Sequence, residues 1–144
     1  MPRKTDSNNP ADWLYLAGSD LEGVCELAQR ELAYSMCRSK LAEVVEKILK
    51  AELIRTGWIL EKTHDLEKLG NELAARGSDL IASVRPLCTA LAEVYFSDRY
   101  PGFDLEDPDW PDLRTKLRAV TSLIEQVRAR VGGSAGSLPE ETSF

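Results

Sequence analysis

Residues 37–57 read CRSKLAEVVEKILKAELIRTG. Within them Cys37, Leu41, Val44, Val45, Ile48 and Leu49 recur at three- and four-residue steps, the spacing that lines one face of an α-helix. Gly57 is placed to stop that helix, because glycine enters the left-handed C-terminal turn at no steric cost. The polar side carries Lys40, Glu43, Lys47 and Lys50, with Glu43–Lys47 and Glu46–Lys50 at ion-pair spacing. Such pairs contribute about 0.2–0.5 kcal/mol each on an exposed helix, and the stripe reads as a solvated face.

The same period extends in both directions. Trp13, Leu14, Ala17, Leu21, Val24, Cys25, Ala28 and Leu32 form an earlier amphipathic stripe. Leu66, Leu69 and Leu73 mark a short helix closed by Gly77. Thr63 is its expected N-cap, with Asp65 in the first turn, where the helix dipole favours negative charge. Leu80, Ile81, Val84, Leu87, Cys88, Leu91, Val94 and Tyr95 give a fourth helix, in which Pro86 must either kink the chain or occupy the first turn. Trp110, Leu113, Leu117, Val120, Leu123, Ile124, Val127 and Val131 complete a fifth. Asp107 or Asp109 would cap it, and Pro111 is tolerated in its first turn. No strand-like alternation of useful length is present, so the expected class is all-α.

These helices define one domain over 11–131, preceded by a polar tail over 1–10 and followed by a flexible Gly/Ser and acidic tail over 132–144. A chain of 144 residues is long enough to form a core without staples. Its net charge of −6 argues against nonspecific coating of nucleic acid or anionic membrane. There is no apolar signal segment or membrane-length run, and the expected location is the cytoplasm.

Cys25, Cys37 and Cys88 lie far apart, no CxxC pair occurs, and His64 is the single histidine. A zinc site is therefore not expected, and the cysteines read as small buried hydrophobes. One connection stands apart: SDRYPGFDLEDPDWP, residues 97–111, is long, proline-interrupted and acidic. It lacks the alternate ligands and turn glycine of a calcium loop, so metal binding is not expected there.

Three landmarks occur in order: AEVVEKILKAELIRTG over 42–57, THDLEKL over 63–69 and DRYPG over 98–102. This succession resembles the HEPN domain family over about residues 13–131. One departure is Glu43, where the family often has glutamine. The resemblance implies an up-and-down antiparallel bundle of four main helices plus a short one. It also implies a small prokaryotic protein that forms a homodimer, with a nucleotide as candidate ligand and no other cofactor. Many relatives are encoded beside a minimal nucleotidyltransferase in toxin–antitoxin-like pairs, and some branches are ribonucleases.

The ribonuclease branch resembles a metal-independent RNase that uses an Arg and a His four to six residues apart. That chemistry needs a group titrating near neutrality and a cation for the developing phosphorane charge. Here Arg55 is the nearest arginine before His64, eight residues intervene, and no histidine follows any later arginine. The expected role is thus a noncatalytic binding module, with a diverged ribonuclease or a ligand-free dimeric scaffold as alternatives.

Candidate ligand residues are Lys47, Lys50, His64, Asp65, Arg99 and Tyr100. His64 and Asp65 open a helix, whose free N–H groups could hold a phosphate; their other role is to pack, cap and answer the dipole. Lys47 and Lys50 match the family's EKxLK pattern. Arg99 offers a fork for phosphate or carboxylate, or else pairs with an acidic neighbour to anchor the loop it shares with Tyr100. Trp13, Trp58 and Trp110 lie near helix ends as core or interface anchors. Two charged stripes compete for a dimer face, one on the second helix and one on the fifth through Arg114, Lys116, Arg118, Arg128 and Arg130.

Overall fold

The computed structural model describes residues 7–92, 94 and 107–135, with only the backbone described for 133–135. Among these residues there are five helices and no strand: α1 Pro10–Gln29, α2 Tyr34–Arg55, α3 Leu66–Ala75, α4 Ile81–Leu91 and α5 Trp110–Ala135. The all-helical class is as the periodicity implied. No helix of the described residues is long and apolar enough to cross a membrane.

Helix α1 starts earlier than its apolar stripe. Asn9 caps it, its side-chain oxygen accepting from the Ala11 N–H at 3.0 Å, and Pro10 takes the first helical position, where no N–H is needed. The Trp13 indole N–H donates to the Ser7 carbonyl at 2.7 Å and the Ser7 hydroxyl donates to Asp12 at 2.6 Å. Residues 7–10, expected in a polar tail, therefore form the cap. A tight turn with Glu31 and Ala33 in left-handed conformations (φ 55° and 57°) then reverses the chain. Helix α2 returns along α1, making the most extensive helix pair in the fold.

Helix α2 is the axis of the molecule. From Cys37 to Ile54 no residue is exposed, because α1, α3, α4 and α5 all pack around it. This overturns the solvated stripe: Glu46 and Lys50 are buried, 7% and 4% exposed, and so is Glu52 at 1%. Charge on a helix predicts water only when one side of that helix lacks neighbours, and here none does.

After α2 the chain does not turn straight into α3. Thr56–Asp65 is a non-helical strap running back along α2, anchored by buried Trp58. Glu46 consequently meets His64 while the Thr56 carbonyl meets Arg76, so α2 and α3 run in the same direction. The cap of α3 is Asp65 rather than Thr63. The Asp65 carboxylate accepts from Glu67 N–H at 3.1 Å and Lys68 N–H at 3.2 Å, whereas the Thr63 hydroxyl accepts from the Asp65 N–H. Both residues can bond backbone two positions on; the helix begins at the one whose acceptor also reaches the third.

Pro86 lies inside α4, where the Ala82 carbonyl loses its helical donor. Asp109 accepts from the Asp112 N–H at 3.1 Å and so caps α5, with Pro111 in the first turn. Helix α5 continues through Gly132 and Gly133 to Ala135, past the expected end at 131. Most of the expected 97–111 loop lies outside the described residues.

Cys37 and Cys88 are buried, as expected, but Cys25 is exposed. It sits on the edge of the α1 stripe that faces a groove instead of the core. Leu32, expected on that stripe, lies beyond the helix end and is 50% exposed.

Burial pushes the Cys88 thiol from its ordinary 9.0 up to about 11. The folded state thus holds this proton more tightly than the unfolded state does. Its contribution is intact below pH 9 and is lost as pH rises towards 11, by roughly 2–3 kcal/mol. In urea denaturation between pH 9 and 11, stability should fall less steeply in Cys88→Ala than in the wild type.

Candidate functional site

Enclosure of α2 forces its charged side chains to find partners inside the protein, since an unpaired buried charge is prohibitively costly. Glu46 finds two. The Lys50 ammonium, one helical turn on, donates to its Oε2 at 2.9 Å. The His64 Nδ1 lies 3.1 and 3.2 Å from its two oxygens. Lys50 is covered in turn by Trp13, with Nζ 5.2 Å from the ring centroid, a cation–π contact that partly replaces lost hydration.

The result is a graded corner. Lys50 and Glu46 are inside, Trp13 is half-buried at the edge, and the His64 side chain is outside at 62% exposure. Paired with an ammonium, the carboxylate acts as acceptor, so the hydrogen bond assigns the proton to Nδ1 of His64. Glu46 thereby fixes both the tautomer and the ring orientation of an exposed imidazole. Such a ring can stack on or hydrogen-bond a ligand without first losing rotational freedom.

The structure joins only two of the six candidate residues. Lys50 and His64 meet through Glu46. Lys47 faces α1, where it donates to Asp20 at 2.6 Å instead of pairing with Glu43, whose partner is Lys40 at 3.1 Å. Asp65 remains beside His64, but its carboxylate occupies the α3 N–H groups that a phosphate would need. Of the two roles open to that helix start, the geometry shows the capping one, with the Asp65 carboxylate holding the Glu67 and Lys68 N–H groups. Arg99 and Tyr100 lie outside the described residues.

Glu46 and Trp13 were not among the expected site residues. The Glu46–Lys50 spacing was visible in the sequence, but nothing local announced its burial. A second internal network was also unannounced. Glu52 accepts from Arg55 Nε and Nη2 at 2.9 and 2.8 Å, and from Arg130 at 2.9 Å. Arg130 also donates to Asp79 at 2.8 Å, and that hydrogen bond holds the Asp79 carboxyl below its ordinary range. This network ties α2, α5 and the α3–α4 connection together, so Arg130 belongs to the scaffold more than to a surface stripe.

Between α1 and α5 runs an open groove of about 1030 Å³. Gly18 forms part of its wall because Arg128 lies against it: a Cβ there would come within 2.2 Å of Arg128 Nη2. Among the described residues no group of three or more His, Cys, Asp or Glu side chains is placed to hold a metal ion.

An ordered helical series with this geometry meets its counterpart in the comparisons. The model of the HEPN domain family matches residues 11–130, and the chain belongs to that family. No curated protein and no solved structure matches it.

Removing one member of the buried pair should cost far more than removing both. Lys50→Met leaves the Glu46 charge without its buried partner and is expected to destabilise by about 3–5 kcal/mol. Adding Glu46→Gln should recover part of that loss, whereas His64→Ala, which removes an exposed partner, should cost within about 1 kcal/mol. Urea denaturation of the three variants against the wild type measures each term.

Proposed function

We propose that this HEPN protein is a noncatalytic binding module that takes a nucleotide and acts with a minimal nucleotidyltransferase partner in a toxin–antitoxin-like pair. The reading includes a cytoplasmic homodimer of prokaryotic type. It also includes the up-and-down arrangement of four main helices plus a short one, with α3 as the short member. The antiparallel course of α1 against both α2 and α5 supports that arrangement.

The observation that carries the noncatalytic reading is the situation of His64. The only histidine is tied through Nδ1 to Glu46, and no arginine precedes it by four to six residues. Lys50, the cation that shares this carboxylate with His64, is buried in its pair with Glu46. A phosphorane-stabilising charge beside a free general base is not what this corner offers. It offers an orientated, exposed ring, which suits contact with a base or sugar. Lys47 and Lys50 act as structural charges in this reading, and His64 with Arg99 and Tyr100 are the groups left to meet a ligand.

The alternative enzyme reading would also have to use His64, so one comparison separates the two. A ¹H–¹⁵N titration with ATP, GTP and a short RNA should give saturable shifts around His64 with a nucleotide, with no cleavage of the RNA. RNA cleavage that disappears in His64→Ala would establish a diverged ribonuclease instead. Absence of shifts at millimolar nucleotide, and of coelution with a nucleotidyltransferase encoded nearby, would leave the scaffold reading.

A further inference from the structure

At the C-terminal end of α2, two arginines share one buried carboxylate. Arg55 by itself satisfies Glu52: its Nε donates to Oε1 at 2.9 Å and its Nη2 to Oε2 at 2.8 Å, a two-pronged pairing. Arg130 brings a second guanidinium from α5 to the same Oε2 at 2.9 Å. Two positive charges on one carboxylate leave one positive charge over. The Glu52 side chain is 2% exposed, whereas Arg55 and Arg130 reach the surface at 32% and 26%. Among the described residues the surplus is answered by Asp79, which accepts from Arg130 Nη2 at 2.8 Å out of a turn in the α3–α4 connection. Asp79 is 75% exposed, and an exposed ion pair is worth little. It bonds Arg130 but not Arg55, whose Nη1 has no hydrogen-bond partner among the described residues. A third arginine, Arg76, donates to the Thr56 carbonyl just beyond Arg55 at 3.4 Å, with its Nε 3.6 Å from Glu72.

We propose that this end of the bundle is an anion site, in which Arg55 and Arg130 together take the phosphate group of a small phosphorylated molecule in the place that Asp79 now holds. Guanidinium forks match phosphate oxygens in geometry and charge. Glu52 sets their orientation in advance, and it stays buried and paired when the outer carboxylate leaves. Asp79 reaches one of the two guanidinium groups. A phosphate, with three terminal oxygens and up to two negative charges, is able to bridge both. Asp79 is thus a built-in competitor that neutralises the surplus while the site is without ligand. The chain as a whole carries a net charge of −6, so most of its surface repels an anion and a local positive surplus stands out. This site is separate from the corner read above as meeting a nucleotide. Arg55 lies nine residues beyond Glu46, about two and a half turns, so the two project from opposite sides of α2.

A ¹H–¹⁵N titration of the full chain with inorganic phosphate and with pyrophosphate, at constant ionic strength, tests the proposal. Saturable shifts are expected at the Asp79 amide and at the Nε–H signals of Arg55 and Arg130. Sodium acetate, the carboxylate arm of the test, should shift them far less. Asp79→Asn removes the competing charge from an exposed turn and should tighten phosphate binding by about tenfold. Arg130→Gln should abolish the shifts, with circular dichroism showing the helices intact. Because that variant also takes a partner from buried Glu52, the gain in Asp79→Asn is the deciding readout: a clamp with a purely structural role gives no gain. Phosphate affinity equal in wild type and Asp79→Asn, or no saturable shifts in either at millimolar phosphate, would overturn the site. Acetate binding as tightly as phosphate would overturn the choice of ligand. Shifts around His64 with nucleotide, but none at Arg55, Asp79 or Arg130 with phosphate, would overturn this site alone and leave the nucleotide reading standing.

Discussion

Enclosure of α2 is the constraint on which the rest of the molecule depends. A 22-residue helix with no exposed position from Cys37 to Ile54 must satisfy all its polar groups inside the protein. Its apolar face would be stable against any complementary surface; its charged positions accept only specific partners. Glu46 requires Lys50 and His64, Glu52 requires Arg55 and Arg130, and Lys47 requires Asp20. Each requirement dictates where another element runs. The strap over 56–65 must travel back along α2 to deliver His64, and α5 must extend far enough to deliver Arg130.

That arrangement separates structural charge from available charge. Lys47, Lys50 and Arg130 look equivalent to surface cations in the sequence, yet each is held in a specific pair in the fold. Asp65 likewise uses its carboxylate on the first N–H groups of its own helix. What remains outward-facing near the α2 corner is His64, fixed by a buried acid. The α1–α5 groove carries exposed Glu22 and Glu26 on its α1 side, and Arg114, Arg118, Glu125 and Arg128 on its α5 side. The protein thus has internally neutralised charges around α2 and a charge-lined groove in which Arg114 pairs with Glu31 and Arg128 with Glu125.

The landmarks of the HEPN family sit on these structural relations. The EKxLK pattern supplies Glu46, Lys47 and Lys50, and HDL supplies His64, the Asp65 cap and buried Leu66. Short-range helical spacing and long-range pairing are both served by the same few letters. Their order along the chain was therefore a better guide than any single motif, since the spacing of each piece is common in unrelated helices.

The sequence alone determined the five helices, their approximate ends and the apolar residues of the core, because helical period and terminal signals are local properties. It also determined the absence of an Arg–His ribonuclease spacing, and its ordered motifs pointed to the family. Tertiary structure decided which side of each helix meets water. It turned the apparent solvated stripe of α2 into buried pairs, moved the α3 cap from Thr63 to Asp65, exposed Cys25, and joined His64 to an acid 18 positions earlier. The physical reason is that a side chain's spacing along a helix depends on its own helix, whereas its burial and partners depend on how many other helices surround it.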